Sequence, residues 1–299
     1  MTIMATSEKT SRPVSPTSKR RAPGRRRKKG RLANLLAIIF CLVWILPVYW
    51  MLNTAFKPRS AVLTSTPQFV PHEPTLRNFN VAITQTDFLI DLRNSVIVVG
   101  SALVVAIVLG FFAAAALSRF KFRGRRTVMV TLLIVQMMPM TSLLIPMFIV
   151  FSQAGLLGTY YGLILAYVAI VLPFSIWVMR GFFVTIPTEI DEAARIDGAS
   201  TWQILTRIWF PLVGPGVIAT GIFAFITAWN DYMFASVFMK SQSMYTLPVW
   251  LASFQTPMTG TDFGGQMAGS VLFSLPVVIF FLFVQRRLVA GISAGAVKG

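Results

Sequence analysis

The sequence predicts an all-α membrane protein, a polytopic bundle of six transmembrane helices. Hydrophobic residues make up 55% of the 299 residues and charged residues only 12%, whereas a soluble domain carries roughly 25% charged residues. Six runs reach or approach the roughly 20 apolar residues that one helical span needs. The runs are continuously apolar, whereas the strands of a membrane β-barrel alternate apolar with polar residues, so helical spans are favoured.

The predicted spans follow a basic amino-terminal segment, in the order Leu32–Leu52, Ser95–Ser118, Val128–Phe151, Tyr160–Phe183, Val217–Phe238 and Met267–Val284. The first run is longer than the apolar core of a secretory signal, and no small-x-small cleavage site follows it, so we expect a retained span. Neighbouring helices in a membrane bundle can satisfy the carbonyl groups that a proline leaves free, so prolines inside the runs are expected to kink the spans. These prolines are Pro139, Pro146, Pro173 and Pro276.

Basic residues are concentrated on one side of this six-span arrangement. Residues 1–31 hold eleven lysines and arginines and the segment Arg119–Arg126 holds five, while only five lie on the opposite side: Lys57, Arg59, Arg77, Arg93 and Lys240. Because lysine and arginine near span ends mark the cytoplasmic side, both termini are expected in the cytoplasm. The segment 1–31 is expected to be a disordered basic tail that contacts membrane lipid rather than nucleic acid.

The chain lacks the residues that most enzyme and metal sites require. Cys41 is the single cysteine and His72 the single histidine, so neither an internal disulfide nor a zinc site of clustered Cys and His is expected. The sequence contains no GxxxxGK[ST] phosphate loop, and one loop histidine cannot serve a sensible Ser/His/Asp set. We therefore expect no catalytic residue, no metal and no cofactor, and we predict that the chain is not an enzyme.

Asn230 and Asp231 lie within the fifth apolar run, and Asp231 is the only acidic residue embedded in any run. An ionisable side chain costs a few kcal/mol at the bilayer centre and by default faces a polar bundle interior or a substrate path. At 1.5 Å per residue, Asp231 lies about 21 Å along the helix from Val217, well into the outer half of the span. Two interpretations stay open: the pair lines a translocation path, or it lies at the outer membrane interface.

The segment Glu189–Pro211 is a polar insert between the fourth and fifth spans, and it holds four of the ten acidic residues. The distribution of basic residues places it in the cytoplasm. A short amphipathic helix is marginal alone in water, so the insert is expected to need a partner surface. The partner is either the inner leaflet or a groove of a cytoplasmic protein, and the acidic face favours the protein.

Local signals divide the insert into two helices. Thr188 with Asp191 resembles a capping box, and Ser200 with Gln203 forms a second one. Gly198 between them suits the left-handed conformation that ends many helices. The sequence therefore predicts a helix, a glycine turn and a second helix that ends before the proline at position 211.

The insert resembles the EAA motif of ABC importer permeases, usually written EAA-x3-G-x9-I-x-L-P. The matching positions are Glu192, Ala193, Ala194, Gly198, Ile208 and Pro211, with Phe210 in place of the usual leucine. Asp197 before the glycine extends the match to the form common in sugar importers. Trp229-Asn230-Asp231, the segment Thr54–Pro58 and the terminus Leu288–Gly299 also resemble this group, the terminus being similar to the smaller permease subunit of maltose-type importers. The resemblance covers residues 32–299.

This resemblance implies the type I ABC importer permease fold, with a second permease subunit and two ATP-binding cassette subunits as partners. It also implies a multi-pass protein of the bacterial cytoplasmic (inner) membrane. It implies that residues 188–210 form coupling helices seated in an ATPase cleft, with Glu192, Ala193, Ala194, Asp197, Gly198, Ile208 and Pro211 as ATPase-coupling residues. The tail 285–299 would reach the ATPases through Ala296, Val297, Lys298 and Gly299. The outer loop 240–266 would meet an extracytoplasmic sugar-binding protein or lipoprotein through Tyr245, Trp250 and Phe254.

The resemblance thus implies the permease subunit of an importer for a di- or oligosaccharide, in which ATP is hydrolysed by partner subunits. Two alternatives stay open from the sequence. The first keeps the importer class and changes the cargo to a polyol, a glycerophosphodiester or another small solute. The second is a stand-alone membrane enzyme or scaffold.

Overall fold

The computed structural model describes residues 26–84, 86–256 and 260–296 and divides the chain into two units, residues 1–49 and 50–299. Helix α1, Arg26–Ala55, forms the described part of the first unit and continues into the second. Its start at Arg26 lies inside the segment predicted to be disordered, so that prediction is wrong for residues 26–31. The physical reason is that arginine and lysine are good helix formers and extend the apolar helix toward the amino terminus.

Among the described residues of the second unit, the regular elements are helices and one short strand pair. Its elements are α2 (Arg59–Val62), α3 (Arg77–Thr84), α4 (Phe88–Arg119), α5 (Arg125–Met137), a 3-10 turn (Met140–Leu143), α6 (Leu144–Gln153), α7 (Tyr160–Val184), α8 (Thr188–Ile196), α9 (Thr201–Gln203), a π-helical segment (Ile204–Trp209), α10 (Phe210–Leu212), α11 (Gly214–Trp229), α12 (Met233–Phe238), a 3-10 turn (Gln242–Met244), α13 (Leu247–Ala252), antiparallel strands β1 (Gln255–Thr256) and β2 (Gly260–Thr261), and α14 (Phe263–Ala296).

Among the described residues, four single helices are long and apolar enough to cross a membrane: residues 32–55 of α1, α4, α7 and residues 263–285 of α14. Two bent pairs raise the number to six if each pair counts as one span. The all-α fold class agrees with the sequence prediction, and the number of spans agrees with it if each bent pair is one span. The third and fifth spans differ from the prediction, because neither is one continuous helix.

The predicted third span bends by 103° between α5 and the segment that begins at Met140. Met138, which precedes Pro139, has extended backbone angles of φ −72° and ψ 133°, because the proline ring disfavours the helical region for the residue before it. The predicted kink is therefore a break. The predicted fifth span breaks at Asn230, where α11 ends, and resumes as α12.

Helices α4 and α7 form the centre of the second unit. They approach closely at Gly110, where an added Cβ would lie 3.2 Å from the Cβ of Ser175. Buried apolar side chains of both helices then join two clusters, one toward the Phe88 end of α4 and one toward its Arg119 end. The second cluster also contains side chains of the insert, so the insert shares a core with the spans.

Candidate functional site

The first helix of the insert, α8, ends in the glycine turn that the sequence predicts. Gly198 has φ +81°, in the left-handed region. Its N–H donates to the carbonyl of Arg195 at 3.1 Å, and the N–H of Ala199 donates to the carbonyl of Ala194 at 2.9 Å. These two bonds form a Schellman motif, which satisfies the last free carbonyl groups of the helix.

The second helix begins at the predicted capping box. The backbone N–H of Ser200 donates to Oε1 of Gln203 at 2.7 Å, and the backbone N–H of Gln203 donates to Oγ of Ser200 at 3.3 Å. The predicted end before Pro211 is wrong, because the helix passes through a π-helical segment and continues to Leu212. The chain then bends by 70° into α11.

Asp191 does not belong to a capping box, which corrects the prediction for the start of α8. The residue before α8 is Pro187, and no side chain caps the helix there. Asp191 instead points inward, where its Oδ1 accepts a hydrogen bond from Nε1 of Trp209 at 2.7 Å. Its Oδ2 lies 3.3 Å from Nε of Arg119, the last residue of α4.

Arg119 joins several parts of the fold. Its Nη2 donates to the carbonyl of Ile186 at 3.0 Å, and its guanidinium carbon lies 5.7 Å from the ring centre of Trp209. By sequence, Arg119 is only the first of the five basic residues in the segment Arg119–Arg126. No local signal links it to the insert, because Ile186 is 67 residues away along the chain.

The residues of the EAA motif divide between two faces. Glu192, Ala193, Asp197 and Gly198 are exposed, whereas Ala194 is buried in the shared core. Pro211 is exposed and Ile208 is half-buried; Ile208 lines an open cleft of about 380 Å³ together with Ala194, Asp197, Gly198, Ala199, Gln203 and Arg207. The motif thus presents acidic and small side chains outward beside a cleft.

Asn230 and Asp231 lie at the break between α11 and α12, and their side chains behave differently. Asn230 is exposed, and its Nδ2 donates to the carbonyl of Ile226 at 2.8 Å. Asp231 is only 7% exposed; its Oδ2 accepts from the hydroxyl of Tyr167 at 2.9 Å and from the N–H of Ala235 at 3.1 Å. Both residues line an open depression of about 340 Å³. Asp231 therefore fixes the start of α12, while Asn230 keeps an exposed face.

The segment 240–254 is bonded to the Phe88 end of α4. Nδ2 of Asn94 donates to the carbonyls of Ser243 at 3.0 Å and Tyr245 at 2.9 Å. Oγ of Ser95 accepts from the N–H of Leu247 at 2.7 Å. These bonds hold the segment against a spanning helix, so it is an ordered surface.

Two of the three residues predicted to meet a binding protein are core residues, which contradicts that part of the prediction. Trp250 is 2% exposed and Phe254 is 9% exposed. Nε1 of Trp250 donates to Oγ1 of Thr86 at 2.8 Å, and its ring packs against Phe254 with centroids 5.2 Å apart. Burial of their large apolar surface explains this placement. Tyr245 is half-buried.

The predicted tail coincides with the end of α14, which extends to Ala296. Val297, Lys298 and Gly299 lie outside the described residues. Within the described parts of the chain, no three His, Cys, Asp or Glu side chains are grouped so that they could hold a metal ion.

Residues 106–294 match the family described as "binding-protein-dependent transport system inner membrane component". The chain is 38% identical over 266 residues to the diacetylchitobiose uptake system permease protein DasC of Streptomyces coelicolor, covering 89% of this chain and 96% of the relative. It is 35% identical over 273 residues to the trehalose transport system permease protein SugB of Mycobacterium tuberculosis, covering 90% of this chain and 99% of the relative.

The fold is similar to a chain in the crystal structure of a bacterial ABC transporter involved in the import of the acidic polysaccharide alginate. The TM-score is 0.76 at 23% identity, and the match covers 92% of this chain and 99% of that chain. At this identity the likeness concerns the fold alone.

Proposed function

Because this chain belongs to the family of binding-protein-dependent transport system inner membrane components, we propose that it is the permease subunit of an ATP-driven importer for a di- or oligosaccharide. Relatives named for diacetylchitobiose, for trehalose and for trehalose/maltose support a sugar as the cargo over a polyol or a glycerophosphodiester. The chain is a component of an inner membrane, and both termini lie in the cytoplasm.

The observation that carries the coupling role is the exposed face of the insert. Glu192 and Ala193 point outward on α8, and Gly198 gives the turn its fixed shape. A preformed helix with an apolar and acidic surface suits a groove on another protein, because little ordering entropy is lost on binding. The insert therefore docks on an ATP-binding cassette subunit, which hydrolyses ATP, while a second permease subunit completes the pair.

The substrate path follows the break between α11 and α12. Asn230 offers an exposed amide at an open depression, and amide groups donate and accept the hydrogen bonds that a sugar hydroxyl needs. Asp231 supports the path by fixing the start of α12. The ordered segment 240–254 faces the extracytoplasmic binding protein, with the exposed residues Lys240, Ser241, Gln242 and Ser243 at its surface.

The coupling role is tested with Glu192→Lys in cells that express this chain together with its ATPase and partner permease. Reversal of an exposed charge at the docking surface is expected to abolish copurification of the ATPase and sugar uptake, while membrane insertion stays normal. Glu189→Lys is the matched control, because Glu189 is also exposed on α8 and lies outside the motif. Normal uptake by the Glu192→Lys complex at normal subunit levels would contradict the proposal.

A further inference from the structure

Arg119 is the feature that neither the motif nor the family assignment accounts for. It is the last residue of α4. Its guanidinium contacts both helices of the insert and the backbone just before the insert. It donates to the carbonyl of Ile186 at 3.0 Å, lies 3.3 Å from a carboxylate oxygen of Asp191, and faces the ring of Trp209 at 5.7 Å. One side chain thus connects a spanning helix with both helices of the insert.

The polar cluster of Arg119, Asp191 and Trp209 is buried. The side chain of Arg119 is 8% exposed and that of Asp191 is 11% exposed, while Trp209 is 1% exposed. Removing two charges from water offsets most of their attraction, so a buried ion pair is weak evidence for a stabilising role. Its better supported use is to specify one arrangement of the parts that it joins. Nε1 of Trp209 donates to the second carboxylate oxygen at 2.7 Å and so fixes the orientation of Asp191.

The helical backbone is interrupted at both covalent connections of the insert. Helix α7 ends at Val184, and α8 starts only after the extended residue Pro187. At the other end the chain bends by 70° between Leu212 and Gly214. Junctions of this kind can absorb a displacement of the insert, because a few residues at element ends can take up the change in backbone angles.

Non-covalent contacts between the insert and the spanning helices therefore matter for transmitting a displacement of the insert. The insert and the spans share an apolar core, but the hydrophobic effect that stabilises this core is not directional. The hydrogen bond from Nη2 of Arg119 to the carbonyl of Ile186 is directional, and it joins α4 to the segment just before the insert. The ion pair with Asp191 joins α4 to the insert itself by charge attraction at 3.3 Å. Helix α4 packs against α7 along the centre of the unit. A displacement of Arg119 would therefore be transmitted to both helices.

We infer that Arg119, Asp191 and Trp209 form a polar link by which displacement of the docked insert is transmitted to α4. This inference rests on the proposed function. All three are positioning residues that act on the spans and contact no substrate. Loss of the link leaves the insert able to dock and the ATPase able to turn over, but it reduces the sugar moved per ATP hydrolysed.

The test uses Asp191→Asn in the complete complex reconstituted into proteoliposomes. Asparagine keeps the volume and still accepts from Trp209, but it removes the ion pair. Labelled-sugar uptake and phosphate release are measured together, and each is divided by the amount of assembled complex. We expect uptake per ATP hydrolysed to fall at least tenfold, with phosphate release within about twofold of the unaltered complex. Glu73→Gln, which makes the same kind of change at an exposed carboxylate outside the insert, is expected to leave the ratio unchanged.

A second variant guards against a folding defect. Trp209→Phe keeps a buried ring but removes the N–H that orients Asp191, and it is expected to lower the same ratio. A normal ratio in assembled complexes of both variants, or failure of both to assemble, would assign the cluster a purely structural role and overturn the inference. Failure of the proposed function gives a different result, in which the unaltered complex shows no ATP-dependent uptake.

Discussion

The glycine turn of the insert allows a quantitative prediction for Gly198→Ala. Gly198 has φ +81°, and an added Cβ would meet no atom within 4 Å. The substitution therefore creates no clash, and its effect comes from the backbone alone. A non-glycine residue in the left-handed region costs about 1–2 kcal/mol. At about 1.4 kcal/mol for each factor of ten, the turn becomes about 5- to 30-fold less favourable.

The affinity of the permease pair for the ATPase subunit measures this effect. If only the formed turn docks, the apparent affinity falls by up to the same factor as the population of the competent turn. Detergent-solubilised permease pairs carrying Gly198→Ala are titrated with the purified ATPase subunit. The control is Gly181→Ala in α7, where the added Cβ also meets no atom within 4 Å but φ is not positive. Gly198→Asn is expected to lose less affinity, because asparagine tolerates the left-handed region.

Two results would refute this reasoning. The first is an unchanged affinity for Gly198→Ala, which would mean that docking does not require the turn as the structure has it. The second is an equal loss for Gly181→Ala, which would mean that any added methyl group weakens the complex. Gly198→Pro is the extreme case: it removes the N–H that bonds Arg195 and is expected to abolish uptake without affecting insertion.

Three further predictions concern the scaffold. Gly110→Leu overpacks the contact with Ser175 and is expected to destabilise the protein by about 1–3 kcal/mol, seen as a lower thermal unfolding midpoint in detergent; an unchanged midpoint would contradict the close approach of α4 and α7. Trp250→Ala is expected to lower the free energy of unfolding by about 3–5 kcal/mol, because the ring is buried. A variant that is stable but has lost affinity for the binding protein would instead make Trp250 a surface residue. Ser200→Ala removes one half of the capping box with Gln203 and is expected to cost about 0.5–2 kcal/mol; unaltered proteolysis of the insert would contradict that role.

The spans were predictable because apolar runs of sufficient length have few alternatives in a membrane protein. Their continuity was not predictable from the runs. Pro139 kinks a helix when its neighbours satisfy the freed carbonyls and breaks it when the preceding residue turns extended, and the sequence is the same in both cases. Asn230 and Asp231 carry the same ambiguity, since a polar pair in an apolar run is compatible with either a path or a helix break.

The insert shows the same division between local and distant information. Gly198 and the Ser200–Gln203 capping box act over three or four residues, and the sequence predicts both correctly. Asp191 fits a capping box by spacing alone, but its contact with Arg119 depends on how α4 packs, which no local pattern contains. Trp250 was misplaced for a related reason, since an aromatic residue in a loop suits a wet surface as well as a core.

The most direct test of the central claim is ATP-dependent sugar uptake by proteoliposomes that contain the purified complex. Labelled diacetylchitobiose, trehalose and maltose are supplied with the cognate binding protein, and phosphate release is followed in parallel. We expect uptake of at least one of these sugars, and we expect this uptake to require ATP, the binding protein and an intact Glu192. Equal uptake from a complex that lacks this chain, or from one that carries Glu192→Lys, would contradict it.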